Sequence, residues 1–379
     1  MSMSRISELV IPLGSALMIP LGFVTAVGAG SQGVPLCPPG CLAGPAGHSA
    51  PRPLPVPVVR GTAATALNVP WGVAFLPGGG ALVAERDRGR ILRISPAGRK
   101  TVVGKVPGVV PAGEGGLLGI ALSPSFSRDR LVFAYVTAAR DNRILRMRYG
   151  PEGRLTHPLT VLSGIPKAYN HNGGRILFGP DRMLYVGTGD AAVGGRAQDR
   201  RSLGGKILRM TPAGKPAPGN PFKGSVVWTY GHRNVQGLAF DPHHRLWASE
   251  LGQDRYDELN LVRKGRNYGW PIIEGRGGGS RFVDPLLVWK PADASPSGLA
   301  YASGTLWMGA LRGERLWRIP VNGTKVGKPT FFFRQKYGRL RTVVAAPEGG
   351  IWVSTSNTDG VGRKRSGDDR ILRVALRQP

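Results

Sequence analysis

Only two cysteines occur in the 379 residues, Cys37 and Cys41, so nothing beyond residue 41 can join a disulfide or offer a thiolate. Thiol chemistry is thereby excluded from the body of the chain, leaving a local bridge in the early segment as the one possible pairing. Long stretches of helical period are also missing, which removes helical solenoids. No segment gathers the basic residues. Lys and Arg number 51 against 23 Asp and Glu, a formal charge of +28, yet the arginines are scattered along the chain. That distribution favours a solvated basic surface over a nucleic-acid partner, while leaving positive charge available to a small acidic ligand.

A single long apolar run exists, Leu9 to Ala29, preceded by one cation, Arg5, and one anion, Glu8. It closes on the small-residue stretch Val27, Gly28, Ala29 and reads as an export signal over residues 1–29, with an uncleaved membrane anchor as the alternative. Pro12 and Pro20 disfavour a permanent helix. The expected destination is the cell envelope or the exterior. Residues 30–57, dominated by Gly, Pro, Ala and Val with prolines at 51, 53, 55 and 57, read as a linker. The folded domain is expected over 58–379.

What the chain has in abundance is turn formers. Fifty-seven glycines and 33 prolines leave little room for long helices and suit many short strands. One strand recurs: Ile91-Leu92-Arg93-Ile94, Ile144-Leu145-Arg146-Met147, Ile207-Leu208-Arg209-Met210, Leu316-Trp317-Arg318-Ile319 and Ile371-Leu372-Arg373-Val374. Leu259-Asn260-Leu261-Val262 fills the long gap, giving six copies at intervals of 53, 63, 52, 57 and 55 residues. A second strand precedes each copy, at Leu82, Leu131, Leu184, Leu246, Leu306 and Ile351. A third element takes the form Gly-x-Ala-Phe before a proline turn, as at Gly72 and Gly237. Strand repeats with periods near ~40–50 residues mark propellers. The expected fold is all-β, a six-bladed β-propeller of four-stranded antiparallel blades.

Propeller ligands bind where loops of several blades converge, so polar residues at equivalent strand ends carry the functional signal. His171 lies in the polar turn Tyr169-Asn170-His171-Asn172-Gly173-Gly174-Arg175, and Asp190 ends the neighbouring strand. Antiparallel pairing would set the carboxylate against one ring nitrogen and leave the other as a base, although a His–Asp pair is more often structural. In Tyr230 to Gly237, His232 reads as a packed turn residue, whereas Arg233 and Asn234 suit a polar ligand. Glu250 to Glu258 with Gly265 to Pro271 clusters oxygen donors suited to a hard cation, without EF-hand spacing. Alternation in Gly338-Arg339-Leu340-Arg341 puts both guanidinium groups on one face, where Arg233 and Arg312 could join them around a planar polycarboxylate.

Taken together, these segments resemble the glucose/sorbosone dehydrogenase family: soluble aldose dehydrogenases that use pyrroloquinoline quinone and calcium on a six-bladed propeller. The resemblance runs from about Val58 to Arg373 and rests on Gly113-Glu114-Gly115-Gly116-Leu117-Leu118-Gly119, His171 with Gly173-Gly174-Arg175, Gly231 to Gly237, and Asn267-Tyr268-Gly269-Trp270-Pro271. It implies that His171 is the base taking the proton of the anomeric hydroxyl while hydride passes to the quinone, and that Asp190 orients it. It implies cofactor contacts from Arg233, Asn234, Arg339 and Arg341, with Glu114 and Arg312 at two further cofactor positions. Gly252 and Gln253 align with the carbonyl pair that holds the catalytic calcium, and Glu258 and Tyr268 with ligands of a second, structural one. An aldose substrate and an electron acceptor follow from the same likeness, whereas a monomer is expected from a departure, the lack of the insertions that make the dimer contact in the glucose enzymes. Departures are present too. Glu114 stands where the glucose enzymes have Gln, Asn170 where they have Asp, Arg312 where they have Lys and Gln253 where they have Pro, and their long insertions are missing. A calcium-dependent lactonase on a similar propeller and a non-catalytic binding propeller remain the alternatives; the arginines argue against the first.

Overall fold

The computed structural model describes residues 53–379. The expected signal, both cysteines and most of the linker lie outside the described residues. Six antiparallel sheets account for the described chain. They are built in order from residues 70–105, 117–165, 176–230, 235–289, 296–332 and 340–377. The repeated Ile-Leu-Arg strands are the third strand of each sheet, and the Leu-led strands the second. The ring is closed by the strand Val56–Ala64, which pairs outside Ile371–Arg377 as the outermost strand of the sixth blade. Pairing therefore begins at Val56, two residues inside the stretch whose composition reads as linker. Pro57 is tolerated because an edge strand leaves half its amides unpaired. The fifth blade departs in detail: Thr330–Phe332 supplies the outer strand, and Lys325–Val326 makes a small hairpin with the end of Arg315–Asn322.

Blade faces are apolar and bury one another. Leu118, Phe133, Tyr135, Ile176, Leu184 and Leu208 form one shared core between the second and third blades, joined by Trp71 of the first, and Trp247, Leu299, Leu306 and Trp317 form another between the fourth and fifth. The inner strands are crowded around the axis. Gly72, Gly119, Gly237 and Gly298 each face the backbone of the next inner strand so closely that a Cβ would collide with it. The Gly-x-Ala signature is thus a packing requirement for closing the ring.

Registry decides where chemistry can sit. The first residue of each inner strand faces the last residue of the second strand, as in Val235↔Glu250, Pro296↔Ala310 and Leu340↔Thr355. The loop entering every blade and the loop leaving its second strand therefore open on the same mouth of the propeller.

Candidate active site

Loops of the second and third blades hold His171. Its amide donates to Glu114 Oε2 at 2.9 Å, and its carbonyl accepts from Ala191 N at 3.1 Å. The residue sits at φ 56°, a left-handed conformation that a non-glycine residue adopts only when its surroundings impose it. Gly189 makes room for it, since a Cβ there would strike the His171 carbonyl. Nδ1 meets Asp190 Oδ1 at 2.8 Å, and Nε2 has no partner among the described residues. Asp190 is nearly buried and fully engaged: Oδ1 also accepts from Ala192 N, and Oδ2 accepts the Trp270 indole N–H at 2.8 Å. Burial works to raise the Asp190 carboxyl, but the bonds from His171, Trp270 and Ala192 outweigh it and hold the group below the usual carboxylate range. An ionised carboxylate on Nδ1–H fixes the tautomer that leaves Nε2 free to take a proton.

Beside this pair lies a cavity of about 460 Å³. Arg86, Arg312, Arg339 and Arg341 line it, together with Glu114, Asn170, Gln236 and Asp359. Arg339 Nε and Arg341 Nη2 both donate to Asp359 Oδ2 at 3.0 Å, so the alternating pair does share one face. Burial alone would raise Asp359; the two arginines drive it well below the usual range. Burial draws Arg341 down to about 10 against the pull of Asp359, which still leaves it charged at neutral pH. Four arginines against two carboxylates leave an excess of positive charge toward the cavity, a donor set that fits a planar polycarboxylate.

The other cofactor candidates stand slightly apart. Arg233 is not a wall of the cavity; its guanidinium reaches Leu251 O at 3.3 Å and lies 5.4 Å over the Trp270 ring. Asn234 is wholly buried and holds neighbours in place, accepting from Gly173 N and donating to Glu114 Oε2. Glu114 thus stitches the His171 loop to the fourth blade, a role that a carboxylate or an amide oxygen fills equally. His232 packs as the sequence suggests, fully buried between Thr229 and Glu250 and stacked on Tyr268.

The candidate cation ligands separate into two places. At the first, a single oxygen of Glu274 accepts the amides of Gln253, Asp254, Arg255 and Tyr256 at 2.6–3.1 Å. The carbonyls of Gly252 and Gln253 meet no donor among the described residues. At the second, Glu250 and Glu258 face each other across adjacent strands. Asn260 Nδ2 donates to both at 3.0 Å, while its Oδ1 is buried without a partner. Burial, helped by the Glu250 charge, pushes Glu258 up to about 8. The Tyr268 hydroxyl is already bonded to Leu261 O and Arg263 N, so only its carbonyl is available as a ligand. Opposed buried carboxylates with an orphaned amide oxygen fit a hard, oxygen-seeking cation. No group of three or more His, Cys, Asp or Glu side chains capable of holding a metal occurs among the described residues, so any such ion would depend on carbonyls and amides as well.

Three participants escaped the sequence reading: Asp359, Arg86 and Glu274. Asp359 had a signal, since it stands just past the second strand of its blade as Asp190 does in the third. Glu274 had none, because its partners are backbone amides.

Fold and site together define a six-bladed propeller with a buried histidine–carboxylate pair beside an arginine-walled cavity. The chain belongs to the Glucose / Sorbosone dehydrogenase family, whose profile matches residues 67–364. It is similar to the PQQ-bound aldose sugar dehydrogenase of Streptomyces coelicolor, at 58% identity and a TM-score of 0.84 over 86% of this chain and 100% of that one. The aldose sugar dehydrogenase of Escherichia coli is 31% identical over 78% of this chain and 89% of its own length. Quinoprotein glucose dehydrogenase B of Acinetobacter calcoaceticus is 34% identical over 55% of this chain and 51% of its own.

Proposed function

We propose that the protein is an exported dehydrogenase that oxidises aldoses at the anomeric carbon to lactones, with pyrroloquinoline quinone and calcium as cofactors. The observation that carries this reading is the His171–Asp190 pair, with Nε2 unengaged, at the edge of a cavity walled by Arg86, Arg312, Arg339 and Arg341. When bound, the quinone accepts the hydride and the calcium polarises its carbonyls as a Lewis acid. Arg339 and Arg341 would hold its carboxylates, and the free carbonyls of Gly252 and Gln253 would hold the ion beside it. Glu258, Asn260 and the Tyr268 carbonyl would hold a second calcium that ties the fourth-blade loops together. His171 Nε2 removes the proton of the anomeric hydroxyl, and Asp190 stabilises the imidazolium that results.

The purified chain, titrated with the quinone in the presence of calcium, is expected to show saturable absorbance changes at one site and aldose-dependent dye reduction. A chelator should abolish the activity. Absence of both quinone binding and dye reduction across a broad aldose panel overturns the reading.

Trp270 offers a finer check. Trp270→Phe keeps an aromatic face beneath Arg233 but removes the N–H that anchors Asp190 Oδ2. Loss of one hydrogen bond to a charged group is expected to lower kcat roughly tenfold, about 1.4 kcal/mol, while quinone affinity stays within about twofold. A parallel loss of affinity would show that Trp270 serves the cofactor site and not the base.

A further inference from the structure

A second cavity, of about 680 Å³, adjoins the first and is more strongly cationic. Five arginines line it, Arg312, Arg315, Arg334, Arg363 and Arg365, against only two carboxylates, Asp293 and Glu314. Both carboxylates are taken: Asp293 lies 3.4 Å from Arg315, and Glu314 3.7 Å from Arg365. Arg312, Arg334 and Arg363 have neither an ion pair nor a hydrogen bond among the described residues.

The framework is built rather than incidental. Arg315 is buried, donates Nε to Gly313 O at 2.8 Å and lies 4.8 Å over the Phe331 ring. Gly313 itself packs so closely on Asp293 O that no side chain would fit. Arg365 is fixed by its amide on Asp368 and its guanidinium on Lys336 O. Arg334 and Arg315 line the same cavity, and burial together with the Arg334 charge lowers the Arg315 pKa against the pull of Asp293. Holding three unpaired guanidinium groups around one concavity is unfavourable until an anion enters.

Position adds the function. Arg312 is a wall of both cavities, and the loop whose Asp359, Gly360 and Val361 line the first carries Arg363 and Arg365 into the second. His171 is not among the residues lining either cavity, and the second contains none of the residues around the proposed base.

We propose that this second cavity receives a small, multiply charged anionic electron acceptor, docked beside the cofactor cavity. The inference rests on the dehydrogenase reading above. Oxidation of one aldose breaks the anomeric C–H and O–H bonds, forms the lactone C=O and delivers two electrons and two protons. Two one-electron anionic acceptors each take one electron, and both protons leave to solvent.

Hexacyanoferrate serves as the probe. Hexacyanoferrate(II), which is already reduced, is expected to bind the full chain at one site by calorimetry without any added quinone. Arg334→Glu with Arg363→Glu, both exposed positions outside the base and the cofactor cavity, should weaken that binding at least tenfold. In the loaded enzyme the same double variant should lower kcat/KM for hexacyanoferrate(III) about tenfold and leave that for an uncharged benzoquinone within about twofold. Raising salt from about 20 to about 200 mM should depress only the anionic acceptor's rate. Absence of hexacyanoferrate(II) binding, binding indifferent to the double variant, or equal losses with both acceptors overturns the proposal and leaves the dehydrogenase intact. Failure of the wild-type chain to pass electrons from any aldose to either acceptor overturns the dehydrogenase reading, and the acceptor assignment with it.

Discussion

His171→Asn is expected to lower kcat about 10²–10⁴-fold while leaving quinone affinity nearly unchanged, the span by which a positioned general base accelerates proton transfer. Asn is chosen over Ala because the backbone at φ 56° favours it: Asn enters the left-handed region more readily than other non-glycine residues. The amide of residue 171 can still donate to Glu114, and its carbonyl can still accept from Ala191, so the loop should keep its shape. What disappears is the one nitrogen with no protein partner. Stopped-flow reduction of the bound quinone, with absorbance titration of its affinity, separates the two effects. Undiminished reduction would remove His171 from the base role. A matching collapse of quinone affinity would instead assign the residue to the cofactor cavity, and a non-catalytic propeller would register no difference at all.

The six-fold repeat was legible because ring closure imposes the same demands on every blade. Gly72 and Gly237 recur for want of space at the axis, and the Ile-Leu-Arg strands recur because a third strand is buried on both faces. The proximity of His171 and Asp190 was legible for a similar reason: strand length and antiparallel pairing fix it locally, within one blade. The same relation of inner to second strand brings Asp359 to Arg339 and Arg341 within the sixth blade, a signal equivalent to that of Asp190. Contacts between blades were not legible. Asn234 read as a ligand donor because an amide in a polar turn usually is one; burial turned it inward, onto Glu114 and Gly173. Glu114, which departs from the Gln of the glucose enzymes, likewise ties the His171 loop to the fourth blade.

Arg341 is where cofactor binding and stability should prove inseparable. The side chain is buried and makes three polar contacts through the guanidinium, to Asp359 Oδ2 at 3.0 Å, Ser356 Oγ at 2.8 Å and Gln236 Oε1 at 3.4 Å, while its backbone lies in the inner strand of the sixth blade. Its charge also bears on Arg175, which burial and that like charge together draw down to about 9. Removing Arg341 leaves the buried Asp359 carboxylate with Arg339, Ser356 and two amides as its remaining partners. Breaking one arm of a buried ion pair costs about 3–5 kcal/mol where nothing replaces it; with Arg339 still in place, Arg341→Ala should fall near the lower end. Loss of a charge-assisted bond to a cofactor carboxylate should weaken quinone binding roughly 10–100-fold. Arg341→Lys discriminates between the two roles. A lysine retains the charge near Asp359 but cannot serve Asp359, Ser356 and Gln236 at once, so it should restore most of the stability and little of the affinity. Denaturant unfolding and quinone titration on the same three proteins read both quantities. Affinity that follows stability through the series would mean that Arg341 only shapes the cavity; affinity still lost in the stable lysine variant would place its guanidinium on the cofactor.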